Sequence, residues 1–289
     1  MIETLAESTS AAVDNLLERS IIDVGIPPCP AILERFTTES RKEDSDYNRL
    51  AIILGTDVGL SAGLIKTANS PFFGMRQRVR SVNDALAVLG LKTASRAVAG
   101  IILRKAFPNV ANLERFWDAS ARIARLSGWL ALHLNIPGLR ADDAYTFGLF
   151  RDCGIPVLLS RFPNYGKLLA IANHDAVNSF TDVEETELPT NHAMVGCILA
   201  QNWWLPEEIC LAIRNHHELM LPGSGLPVLS SRLIATSQLA EHILQKQLDL
   251  SLTMEWPKLG NMCLQILGIA EDQLDSLYFE AQPVAAANE

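Results

Sequence analysis

Apolar residues along this chain recur every three to four positions, in runs separated by capping and turn signals, and strict alternation is scarce. The pattern predicts helices and little strand. Residues 4–19 form an amphipathic stretch with Leu5, Val13, Leu16 and Leu17 on one face. The run Gly25-Ile26-Pro27-Pro28-Cys29-Pro30 forces extended backbone, because each proline fixes its own φ and biases the preceding residue away from helix. Helices are then expected over 31–37, over 47–54 with a cap near Ser45, and over 57–68 with Thr56 as cap. The string Asn69-Ser70-Pro71-Phe72-Phe73-Gly74 is a break. Ser81 and Asp84 make a capping box for a helix over 82–89, closed by Gly90 and followed by another over 92–105.

After Pro108 the periodicity predicts a long helix over 113–134 and a second over 141–159, with Gly148 and Gly154 inside it. Each internal glycine costs about 1 kcal/mol relative to alanine, which implies close helix packing or a kink. Asn191 is placed to cap a helix over 193–203, and Pro206 with Glu207 and Glu208 opens one that runs to His216. Residues 221–227 read as a turn or linker. Further helices are expected over 228–246, 256–266 and 272–279, with a frayed tail over 282–289. The expected fold class is all-α. The stripe Leu233, Leu239, Ile243 and Leu244 must be buried, so the C-terminal helices are expected to pack onto what precedes them.

Composition narrows the function classes. With 289 residues and 48% apolar content the chain is long enough for one large core or two smaller ones. Mean hydropathy is slightly positive, yet the most apolar segment, 85–103, is interrupted by Lys92, Ser95 and Arg96, so no membrane span is expected. The acidic N-terminus lacks the basic start of a secretory signal. Five dispersed cysteines with no C-x-x-C pair point to reduced thiols and a cytoplasmic location. A net charge of −9 argues against a protein whose main work is gripping DNA phosphates.

Several strings then line up in order. They are Ile26-Pro27-Pro28-Cys29-Pro30, Asp57-Val58-Gly59-Leu60, Leu64 through Ser70 with Phe72-Phe73-Gly74, Val82 through Ala85, and Leu89-Gly90-Leu91-Lys92. Gly148 through Gly154, His192 through Gly196, Trp204-Leu205-Pro206 and Ile213 through Glu218 follow. The set resembles the HDOD family, the HD-related output domains of bacterial signalling proteins, over residues 22–218. The resemblance implies a helical domain related to HD-type phosphohydrolases, with catalytic ligands usually lost and a regulatory role. It divides the chain into an N-terminal helix (1–21), an HDOD domain (22–218, with an N-terminal helical part over 22–108 and an HD-like core over 109–218) and a helical extension (219–289).

An HD-type centre takes a His from one helix, a His-Asp pair from the next and a further Asp, which together hold a divalent metal. By resemblance Ala119 stands in the first slot and Arg151 in the second. Neither offers a lone pair, and a guanidinium stays charged at any cellular pH. The expectation is therefore a degenerate site, with no metal and no cofactor. Asp152 survives, either as a residual ligand or, the favoured reading, as a carboxylate paired with a cation such as Arg151. His192, His216 and His217 survive as well. They are candidate ligands, but capping and core hydrogen bonding are the favoured roles. A candidate binding surface comprises Lys66, Asn69, Phe72, Phe73, Arg76, Arg78 and Arg80, where arginines beside aromatics suit nucleotides or protein docking. The competing reading is that the phenylalanines plug the core.

Three functions compete. The leading one is a non-catalytic signal-transduction module that binds a protein partner or a small ligand. Its input arrives from a separate molecule, since only about twenty residues precede the proline motif and a receiver domain needs about a hundred or more. The second is a metal-dependent phosphohydrolase or phosphodiesterase using Asp152, His192, His216 and His217. The third is a nucleotide or nucleic-acid binder using Lys66, Arg76, Arg78 and Arg80.

Overall fold

The computed structural model describes residues 24–70, 73, 78–107, 110, 113–218, 225–248 and 253–286. The amphipathic stretch over 4–19, the N-terminal unit over 1–21, Phe72, Arg76 and most of the turn over 221–227 lie outside the described residues. Every regular element within them is helical, so the fold is all-α.

Three helices, α1 (Ala31–Ser40), α2 (Tyr47–Gly55) and α3 (Val58–Ala68), pack around α4 (Val82–Lys105). Two caps differ from expectation. Asp46, not Ser45, accepts from the Asn48 amide at 2.8 Å, and Asp57, not Thr56, accepts from the Leu60 amide at 3.0 Å. A carboxylate serves better than a hydroxyl here because its charge also complements the helix dipole. Ser81 caps α4 through the Asp84 amide as predicted. Gly90 sits at φ 70° and ψ 158°, so the helical path breaks there as expected, and the two halves of α4 meet at a kink. By composition α4 is long and apolar enough to cross a bilayer, yet more than half of its most apolar window is buried inside the protein.

Buried Arg96 of α4 pairs with Asp143 at 2.5 Å and with Asp142 at 3.4 Å. Both acids lie on α6 (Ala141–Phe150), which forms a close antiparallel pair with α5 (Glu114–His133). A Cβ on Gly148 would meet the Ala124 Cα at 2.9 Å, so this glycine is required by the α5–α6 approach. The single helix expected over 141–159 is in fact two. The chain leaves α6 at Phe150, turns through Arg151, Asp152 and Cys153, and starts α7 (Gly154–Arg161). Gly154 is required where α7 starts, because a Cβ there would run into the His192 carbonyl oxygen.

The remaining helices are α8 (Tyr165–His174), α9 (Phe180–Glu185), α10 (His192–Asn202), α11 (Glu207–Arg214), α12 (Val228–Gln247), α13 (Glu255–Leu267) and α14 (Leu274–Ala286). Neither α8 nor α9 was expected. The central α12 packs on α5, α6, α11 and α13. Its Leu239, Ile243 and Leu244 close a second apolar cluster with Leu126 and Leu130 of α5 and Leu277 of α14.

Candidate functional site

The turn between α6 and α7 places Arg151 and Asp152 beside the first residue of α10 and the residues just after α11. Asn191 caps α10 through the Met194 amide at 2.8 Å, which sets His192 at the first helical position. Gly154 and Gly196 let α7 and α10 approach to backbone contact. His216 and His217 follow Arg214, where α11 ends. The result is a convergence of Asp152, His192, His216 and His217, with one ligand atom of each lying within 4.8 Å of all the others.

The geometry inside this group is specific. His192 Nε2 lies 3.2 Å from His216 Nε2 and 3.0 Å from His217 Nε2. Asp152 Oδ1 lies 3.2 Å from His216 Nε2 and 3.7 Å from His192 Nε2. Each ring's other nitrogen has its own acceptor. Nδ1 of His192 meets Glu184 Oε2 at 2.7 Å, Nδ1 of His217 meets Glu255 Oε2 at 2.6 Å, and Nδ1 of His216 meets the Ile213 carbonyl at 2.6 Å. An acceptor at Nδ1 holds the proton there and turns the Nε2 lone pair toward the centre. Phe180 walls the group, stacked on His217 with ring centroids 4.6 Å apart and edge-on to His192 at 5.2 Å.

The histidines lie near helix ends and make core hydrogen bonds, as the favoured sequence reading had them; the structure adds that they converge on one point. All three are buried. Burial pushes the His217 imidazole down to about 3, with His216 adding to the effect. Burial acts the same way on His192, but the Glu184 carboxylate outweighs it and raises that group.

Arg151 is buried and fully engaged. Its Nε donates to Asp152 Oδ2 at 2.9 Å, one terminal nitrogen to Ser237 Oγ at 3.3 Å and the other to Glu241 Oε2 at 2.5 Å. Burial opposes its charge, but Asp152 and Glu241 outweigh that and raise it further. Asp152 is likewise held well below the usual carboxylate range, because Arg151 and His216 overcome the cost of burial. Asp152 is paired with Arg151 through one oxygen, as the favoured reading had it, and its other oxygen faces the histidines.

A cavity of about 420 Å³ adjoins the group, lined by Arg151, Asp152, His192, His217, Glu241 and Glu255 among others. From the α5 side it is lined by Leu113 and Phe116. Ala119, the position assigned by resemblance to the first ligand, is not among the lining residues. Glu184, Glu241 and Glu255 were missed in the sequence. Ser179 and Asp182 repeat the capping-box spacing of Ser81 and Asp84, and Ser179 does accept from the Asp182 amide, so α9 and its Glu184 were detectable. Glu241 and Glu255 carried no such signal.

The arginine-aromatic segment forms no comparable site. Asn69 is structural: its amide donates to the Ile65 and Val79 carbonyls at 2.9 and 2.8 Å, and its oxygen accepts from the Val79 amide at 2.8 Å. Phe73 is half-buried near Tyr145, with ring centroids 6.4 Å apart, in agreement with the core-plug reading. Lys66, Arg78 and Arg80 are exposed.

The HDOD domain model matches residues 26–219. The chain belongs to the HDOD family. An uncharacterised protein of Treponema pallidum (strain Nichols) is 26% identical over 213 residues, which is 71% of this HDOD chain and 40% of that protein; the chain thus spans less than half of its relative's length. An HDOD domain protein of unknown function from Geobacter sulfurreducens superposes with a TM-score of 0.66 at 22% identity, covering 94% of this chain and 96% of that one. A Shewanella amazonensis SB2B protein named for an inferred phosphohydrolase activity superposes with a TM-score of 0.67 at 20% identity, covering 93% and 95%. A Marinobacter aquaeolei VT8 protein named for an inferred role in signal transduction gives 0.62 at 22% identity, covering 91% and 58%. At these identities the structural likeness shows the fold.

Proposed function

We propose that this HDOD chain is a non-catalytic regulatory module of bacterial signal transduction, working by recognition of a protein partner. One observation carries the reading. The Arg151 guanidinium is buried and hydrogen-bonded through all three of its nitrogens to Asp152, Ser237 and Glu241, in the slot that the family resemblance gives to a metal-binding histidine. A permanent cation there repels a second metal ion and occupies Asp152 Oδ2, so the paired-ion clamp used for phosphoryl displacement has no place to form. The five free cysteines, four of them buried, fit a reducing compartment and hence the cytoplasm.

The test is turnover. The purified chain is supplied with Mn(II), Fe(II) or Zn(II) and offered p-nitrophenyl phosphate, bis(p-nitrophenyl) phosphate and cyclic dinucleotides. The expected rate equals that of the Asp152→Asn variant for every substrate. Saturable, metal-dependent hydrolysis abolished by Asp152→Asn overturns the reading.

A further inference from the structure

We infer that Asp152, His192, His216 and His217 form a single-ion site for a first-row divalent transition metal, with a ligand set of three imidazole nitrogens and one carboxylate oxygen. This does not depend on whether the protein turns over a substrate.

Spacing is the first argument. Two ligand atoms each about 2.0–2.1 Å from one ion stand about 3.0 Å apart at a right angle and about 3.4 Å apart at the tetrahedral angle. Four of the six separations among the three Nε2 atoms and Asp152 Oδ1 run from 3.0 to 3.7 Å, and the group as a whole lies within 4.8 Å. Those four edges already have the length found in a coordination shell.

Orientation is the second. Three rings from two separate elements present the same nitrogen to one point, and each has an acceptor fixing its far side: Glu184, Glu255 and the Ile213 carbonyl. Carboxylate- or carbonyl-oriented imidazoles of this kind are the usual support of a metal centre. Histidines that merely fill a core have no reason to share one focus.

Charge is the third. Around the group stand the carboxylates of Asp152, Glu184, Glu241 and Glu255. The guanidinium of Arg151 and the ammonium of Lys258, which pairs with Glu255 at 2.6 Å, oppose them. With neutral imidazoles, four negative and two positive charges leave an excess of two, and one divalent ion balances it. The nitrogen-rich set selects zinc, iron or cobalt over magnesium or calcium, which prefer oxygen. Arg151 limits the site to one ion by holding the other oxygen of Asp152. The adjoining cavity leaves part of the shell open to a solvent or ligand molecule. Because Glu255 begins α13, beyond the segment matched to the family, an ion at His217 also ties the C-terminal helices to the core.

The experiment uses the full chain, stripped with a chelator and titrated with Zn(II) against a chromophoric competitor, with Co(II) absorption reporting the ligand geometry. The expected result is one ion per chain, a higher Tm on loading, and no binding in the His192→Gln/Asp152→Asn double variant. Glu255→Gln, which removes no ligand, is expected to weaken Zn(II) binding about 10- to 100-fold, and it carries the test if the double variant fails to fold. Three results overturn the inference: no competitive binding by the wild-type chain, a stoichiometry of two, or an affinity that Glu255→Gln leaves unchanged. None of them bears on the turnover assay, so the two readings fail separately.

Discussion

Asp152 and Arg151, adjacent in the chain, share one carboxylate oxygen: Arg151 Nε donates to Oδ2 at 2.9 Å, while Oδ1 lies 3.2 Å from His216 Nε2. The carboxylate thus joins a permanent guanidinium charge to the three-histidine group, and Arg151 holds it in place from the side that the cavity would otherwise expose.

Arg151→Met therefore leaves Asp152 and Glu241 without their cation inside the protein. Removing one partner of a buried ion pair costs about 3–5 kcal/mol. The expected outcome is a loss of that size in urea denaturation. Arg151→Lys recovers only part of it, since an ammonium cannot serve Asp152, Ser237 and Glu241 in one planar fork. A loss below about 1 kcal/mol for Arg151→Met would mean that the pair contributes no more than an exposed one.

Two glycines near the site should respond oppositely. Gly154→Ala drives a methyl group into the His192 carbonyl, so α7 must move off α10 and the expected cost is about 1–3 kcal/mol. Gly166→Ala, in the first turn of α8, meets nothing closer than 3.9 Å and replaces a poor helix former. Its stability should be unchanged or slightly raised. Equal effects of the two substitutions in thermal unfolding would contradict the packing account.

Stability should fall on mild acidification, in part through His242. Its ring stacks on Trp256 with centroids 4.2 Å apart. Burial, with Lys246 adding to it, pushes the group down to about 4. The unfolded chain takes up this proton near pH 6.5 and the folded protein only near 4, so the unfolded state binds more protons between those values. Stability is complete above about pH 6.5 and is lost as pH falls toward 4. His217, pushed down to about 3, acts in the same direction, whereas His192, which is raised, acts in the opposite one. His242→Phe should flatten the decline between pH 6.5 and 4 without abolishing it. An identical pH profile for Tm in the variant would remove His242 from the account.

Asn69 and its neighbouring arginines separate just as cleanly. Asn69→Ala breaks two hydrogen bonds that join the end of α3 to Val79 and one to the Ile65 carbonyl within α3 and should cost about 1–3 kcal/mol. The exposed pair Arg78→Ala/Arg80→Ala should leave Tm within a degree or two. If the order were reversed, the segment would be held by its arginines and not by the asparagine.

The helical class, most helix positions and the caps at Ser81 and Asn191 were legible in the sequence, because periodicity and capping act over three or four residues. The family strings were legible for the same reason, since each is a short run. Asp152, His192, His216 and His217 could be named as candidates, but the favoured roles were an ion pair for Asp152 and capping and core hydrogen bonding for the histidines. The single helix expected over 141–159 shows where local reasoning stops. Nothing within the run says that α10 will lie against Gly154, or that the turn over 151–153 will set Asp152 beside the histidines.

Only the tertiary structure decided that four residues spread over 66 positions share one focus, and that Glu184, Glu241 and Glu255 orient or balance them. His217 and Glu255 stand 38 positions apart, and no spacing rule links them; they meet because α12 crosses the core and returns the chain to it. The chain's own order of residues set its helices, which depend on near neighbours. The site depends on which helix faces which, and that is settled by packing across the whole core.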